Sequence, residues 1–97
     1  MPTYLTLWNW TEAGIKEFRQ TTARVEQIKA DFGKLGVTLD VRWTVGPYDG
    51  MAIVEAPDEE SATAALLRLG SAGNVRTTTM RAFDSDEMAR ILERAGS

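Results

Sequence analysis

The chain has 97 residues, no cysteine, no histidine and a formal net charge of -3 from 11 basic and 14 acidic side chains. Its length suits a single domain over residues 1–97 that buries roughly 60–65% of its unfolded surface. The missing residue types exclude a disulfide framework, a thiolate nucleophile, an imidazole base and the usual zinc site.

With 43% hydrophobic and 26% charged residues the composition is that of a globular chain. The acidic excess lies entirely after Asp49, and three consecutive Lys or Arg occur nowhere, so nucleic acid is not an expected partner. Nor is a membrane, because no apolar stretch approaches a spanning length. Cytoplasm is the expected location.

Thr3 to Trp10 reads as a strand, with Leu5 and Leu7 on one side and Tyr4, Thr6, Trp8 and Trp10 on the other. Both sides are large and apolar, which suits a central strand. Thr11 is placed to cap a short helix through Phe18, and Thr22 a longer one whose stripe is Val25, Ile28, Phe32 and Leu35, stopped by Gly36. Val37 to Val45 alternates strictly, with Val37, Leu39, Val41, Trp43 and Val45 on one side. Gly46 to Gly50 is a turn, and Met51 to Ala56 the antiparallel return strand. Centring that turn on Tyr48 places Trp43 near Ile53 and Arg42 near Val54.

Asp58 is the expected cap of a third helix with Ala62, Ala65, Leu66 and Leu69 as its buried stripe. Gly73-Asn74 closes the following loop, with positive φ expected there. Val75 to Phe83 is the fourth strand, two of whose three consecutive threonines are expected on the open side of the sheet. Asp84 and Glu87 then have capping-box spacing ahead of a terminal helix with Met88, Ile91, Leu92 and Ala95 on one side.

The order β-α-β-β-α-β with a terminal helix predicts an α+β domain whose four-stranded antiparallel sheet runs 4-1-3-2. Helices then cover one sheet face. The other exposes some of Tyr4, Trp8, Trp10, Met51 and Ile53, or the Trp43 side of the second strand, and such a face predicts self-association, most simply a two-fold dimer. Trp8, Trp10, Met51 and Ile53 are therefore the interface candidates.

Gly46-Pro47-Tyr48-Asp49, followed by Ile53-Val54-Glu55-Ala56-Pro57-Asp58, resembles the signature of the GYD-domain family. Leu69 to Thr77 with Arg81-Ala82-Phe83 is similar to that family's second signature, and Asn9-Trp10-Thr11, Gly14-Ile15 and Arg24 also fit. The resemblance implies a ferredoxin-like unit related to the dimeric α/β-barrel group, in which two sheets pack face to face. It implies no agreed reaction.

Two functional readings remain open at this level. One is a small self-associating module of unassigned biochemistry that binds a small ligand at its sheet face, with Asn9, Arg42, Trp43 and Tyr48 as ligand-contact candidates. The alternative is a cofactor-independent enzyme of the dimeric α/β-barrel kind using Tyr48, Asp49 or Glu55 as acid–base groups. The blander roles of these residues are also plain: Asp49 as an acceptor of turn N–H groups, Tyr48 as edge packing, Glu55 as a solvated charge. No metal site or cofactor is expected from either reading, since the carboxylates have no clustered ligand spacing.

Overall fold

The computed structural model describes residues 1–96. Its elements are β1 (Thr3–Trp10), α1 (Glu12–Lys16), a 3-10 turn (Phe18–Gln20), α2 (Thr21–Gly33), β2 (Thr38–Trp43), β3 (Gly50–Glu55), α3 (Glu59–Ser71), β4 (Val75–Ala82) and α4 (Ser85–Ala95). The strands make one antiparallel sheet in the order β2-β3-β1-β4, the expected 4-1-3-2 order read from the opposite edge.

Local chemistry starts and stops these elements. The Thr11 hydroxyl accepts the Gly14 N–H at 3.1 Å, and the Asp58 carboxylate accepts that of Ser61 at 2.7 Å, so both expected caps are in place. Asp84 and Glu87 form a reciprocal capping box. Thr22 does not cap α2. The 3-10 turn runs directly into that helix, and Thr21 is already helical at φ -59° and ψ -40°. Gly36, at φ +72°, reverses the chain into β2.

The β2–β3 register differs from the expected one. Arg42 lies opposite Met51, Trp43 opposite Gly50, and Glu55 opposite Thr38. The reason is that the connection is centred between Gly46 and Pro47 instead of on Tyr48. The Thr44 N–H donates to the Asp49 carbonyl at 2.9 Å and its hydroxyl to the Tyr48 carbonyl at 2.7 Å, so the turn is confined to Val45–Tyr48 and Gly50 joins the strand. Val45 therefore leaves the alternating pattern and stands fully exposed in the turn.

The register also assigns the two sheet faces. Tyr4, Thr6, Trp8 and Trp10 of β1 align with Ala52 and Val54 of β3 and with Leu39, Val41 and Trp43 of β2, all on the helix side. Val54, Ala56, Ala62 and Ala65 are essentially inaccessible, and Phe32 and Val37 close the same core. Ala62 and Ala65 of α3 belong to the same buried cluster as Ala52 and Val54 of β3. The opposite face carries Leu5, Leu7, Met51, Ile53 and Met80. Of the threonines in β4, only Thr78 shares it, because Thr77 and Thr79 align with Trp8 and Thr6. Thr6 and Thr79 satisfy one another at 3.0 Å on the helix side.

Candidate functional site

The residues that carry the recognisable motifs converge at one end of the sheet. Asp49 donates its N–H to the Trp8 carbonyl at 2.9 Å, while its carboxylate accepts the Trp10 N–H at 2.9 Å. The Asn9 amide donates to the Pro47 carbonyl at 3.0 Å. Thr11 joins the other side of this end: its N–H donates to the Asn74 carbonyl at 3.1 Å and its hydroxyl to the Gly73 carbonyl at 2.6 Å. Gly73 has φ +79°, so the loop entering β4 reverses at a position that favours glycine. Two motifs distant in sequence are thus both laced to the end of β1.

Beside this end, between α2 and α3, the helix layer leaves a cleft of about 380 Å³ over the sheet. Trp8 and Trp10 form much of its floor, their rings edge to face at a centroid separation of 5.5 Å. Val25 and Ile28 of α2 wall one side, and Leu66 and Leu69 of α3 the other. Polar groups stand at the rim. Arg24 pairs with Glu17, and the Trp43 indole N–H donates to the Thr21 hydroxyl at 3.0 Å. An apolar cleft with a few rim charges is suited to an apolar or aromatic small molecule.

The candidate residues do not assemble into one catalytic constellation. Asn9, Tyr48 and Asp49 meet at the turn, but the Asp49 carboxylate is occupied by a backbone donor. Glu55 is exposed on the open sheet face, between Thr3 and Thr38. Arg42 is on that face too, paired with Asp40 at 2.5 Å. Trp43 belongs to the helix side at the β2 edge. The four interface candidates divide likewise: Met51 and Ile53 occupy the open face, whereas Trp8 and Trp10 face the cleft. Among the described residues no group of three or more carboxylates could hold a metal ion.

The cleft-rim residues Glu17, Thr21 and Arg24 were not identified as a site by the sequence reading. Their signal was helical spacing, since Thr21, Arg24 and Ile28 recur on one side of α2. Arg81 entered only as part of the second family signature, with no role attached; it lies over the rings of Tyr4 and Phe83 at 5.5 and 4.6 Å and pairs with Glu87 at 3.6 Å.

A two-layer α+β domain with this strand order, and with its GPYD turn and glycine-asparagine loop tied to the same strand, defines a class. The GYD domain model matches residues 4–92, and the chain belongs to the GYD-domain family. A protein of Thermus thermophilus described as "Glutamine synthetase and cystathionine beta-lyase binding protein" is 32% identical over 94 residues, covering 94% of this chain and 99% of the relative. A crystal structure of a Thermus thermophilus protein matches the fold with a TM-score of 0.55 at 25% identity, covering 88% of this chain and 96% of the other. Among the described residues no helix is long and apolar enough to cross a membrane.

Proposed function

We propose that this protein is a self-associating binding module that pairs through its open sheet face and recruits a partner enzyme. The observation that carries this reading is the contiguous apolar field made by Leu5, Leu7, Met51, Ile53 and Met80, which register places side by side on the face opposite the helix layer. Met80 is exposed and the other four are half-buried, and contiguous apolar surface on a sheet face that no helix covers marks an interface. Its charges are Arg76 toward the turn end, Glu55 toward the other and an internal Arg42–Asp40 pair at 2.5 Å, and pairing of such a face with a second copy is most simply isologous, about a two-fold axis. The result is an assembly of the dimeric α/β-barrel kind.

The relative's description as a binder of two enzymes supports protein recruitment as the task of this module. The small-ligand site of the module is the tryptophan-floored cleft, in place of the sheet face, because pairing would cover that face.

Light scattering tests the assembly: a mass twice 10.7 kDa is expected, and Ile53→Arg is expected to return it to the monomer value. A wild-type monomer at all concentrations sinks the reading. Sedimentation with purified glutamine synthetase and cystathionine beta-lyase tests recruitment. Co-migration with at least one is expected, and migration apart from both removes that half.

A further inference from the structure

The cleft between α2 and α3 keeps its apolar and its charged surfaces apart. Its depth is apolar. Trp8, Ala52 and Val54 are buried there, and the buried hydroxyl of Thr6 is already bonded to that of Thr79 at 3.0 Å. A ligand's body is therefore held by shape and by the two indole rings, and any polar group it carries has to be satisfied at the rim. At about 380 Å³ the cleft lies near the small end of the range for ligand pockets, roughly 300–1,000 Å³, which suits a molecule of one or two rings.

The rim is polarised along the cleft. α2 begins at Thr21, whose hydroxyl accepts the Trp43 indole N–H at the turn end of the sheet. α3 runs the opposite way and ends at Ser71, beside the Gly73-Asn74 loop that is bonded to Thr11 at that same end. Arg24, near the start of α2, and Arg68, near the end of α3, thus line the same end of the cleft from its two walls. Trp10, the last residue of β1, brings its ring to that end too. Glu17 neutralises Arg24. Arg68 makes no ion pair among the described residues, so this end carries an excess of positive charge. Asp31, the other carboxylate of the lining, lies seven residues beyond Arg24 on α2, roughly 10 Å away at 1.5 Å per residue, and accepts from the Gln27 amide at 3.3 Å.

We infer that the cleft takes a small apolar monocarboxylate, with its aromatic or branched body on the Trp8–Trp10 floor and its carboxylate on the Arg68 guanidinium, an inference that rests on the cleft being the ligand site proposed above. A guanidinium offers paired N–H donors whose spacing matches the two oxygens of a carboxylate. Arg68 is exposed and without a carboxylate partner, so those donors are free to meet a ligand. A cationic ligand, which indole faces alone would also accept, meets the excess positive charge at this end. A neutral one gains only the floor.

The test uses 1-naphthylacetate, its neutral amide 1-naphthylacetamide and 1-naphthylmethylammonium, which share a ring system and differ in charge. Each is titrated into the isotope-labelled full chain while the Trp8 and Trp10 indole N–H resonances are followed. The acid is expected to move both resonances and to bind about tenfold more tightly than the amide, with the ammonium weakest. Arg68→Gln is expected to bring the acid down to the affinity of the amide and to leave the amide unchanged. Arg90→Gln, which removes the same charge from α4, is expected to leave all three affinities as they were. Amide or ammonium binding as tight as the acid, or an acid preference that survives Arg68→Gln, overturns the carboxylate assignment and leaves the cleft as an apolar site. Trp8 and Trp10 resonances that none of the three compounds moves overturn the ligand cleft and this inference together.

Discussion

Gly50 lies flat against the indole of Trp8, so close that a β-carbon on residue 50 would come within 2.0 Å of the ring. Trp8 is only 7% exposed, so the ring has little room to retreat. Gly50→Ala is therefore expected to destabilise the fold by about 2–3 kcal/mol through overpacking. In a double-mutant cycle with Trp8→Leu, followed by urea denaturation and circular dichroism, the two costs are expected to be strongly less than additive. Additive costs would break the proposed dependence.

Asp49 holds the end of β1 rather than a substrate proton. Removing its carboxylate in Asp49→Ala leaves the partly buried Trp10 N–H without an acceptor and is expected to cost about 1–3 kcal/mol. Asp49→Asn keeps an acceptor oxygen and is expected to cost clearly less. Equilibrium unfolding in urea distinguishes these outcomes. Equal losses in the two variants would point to the charge rather than the hydrogen bond.

The cleft floor makes ligand occupancy visible. An apolar anionic dye such as anilinonaphthalene sulfonate is expected to bind with about one site per chain and to quench tryptophan emission. Val25→Trp, which fills the wall between α2 and the floor, is expected to abolish that saturation while leaving the assembly mass intact. Unchanged dye binding in Val25→Trp would place the dye elsewhere.

Asp58 sets an acid-side dependence. The Ser61 backbone N–H, and after it the Ser61 side chain, hold its carboxyl below the ordinary value of 3.8. Because the folded value is the lower one, the stabilisation is present above 3.8 and is lost as pH falls through the folded value. Asp58→Asn is expected to keep the cap at neutral pH and to flatten the acid limb of a melting-temperature profile. Asp58→Ala is expected to lower the melting temperature at neutral pH as well, since the Ser61 N–H loses its acceptor. An unchanged acid limb in Asp58→Asn would remove this account.

Much of the architecture was legible along the chain because its causes are local. The caps at Thr11, Asp58 and Asp84, the reversal at Gly36 and the strand order all follow from spacing, side-chain acceptors and right-handed connections. Less was legible at the candidate site. Asp49 as an acceptor of backbone N–H groups was readable, but the donors expected were those of its own turn, whereas its carboxylate accepts the Trp10 N–H of β1, 39 residues away in sequence.

The composition excluded thiolate, imidazole and disulfide chemistry before any fold was known, and the alternation in β1 separated Leu5 and Leu7 from Trp8 and Trp10. It left open which set the helices cover, because both sides are apolar. Tertiary packing decided that. Gly50 leaves room for the Trp8 ring on the helix side, and the turn closing at Val45–Tyr48 shifts β2 so that Arg42 meets Met51. The amphipathic pattern of α4 was equally plain in sequence, yet periodicity records only that a helix has an apolar side. Whether its own domain buries that side is a matter of where the chain leaves the sheet, and here it leaves outward.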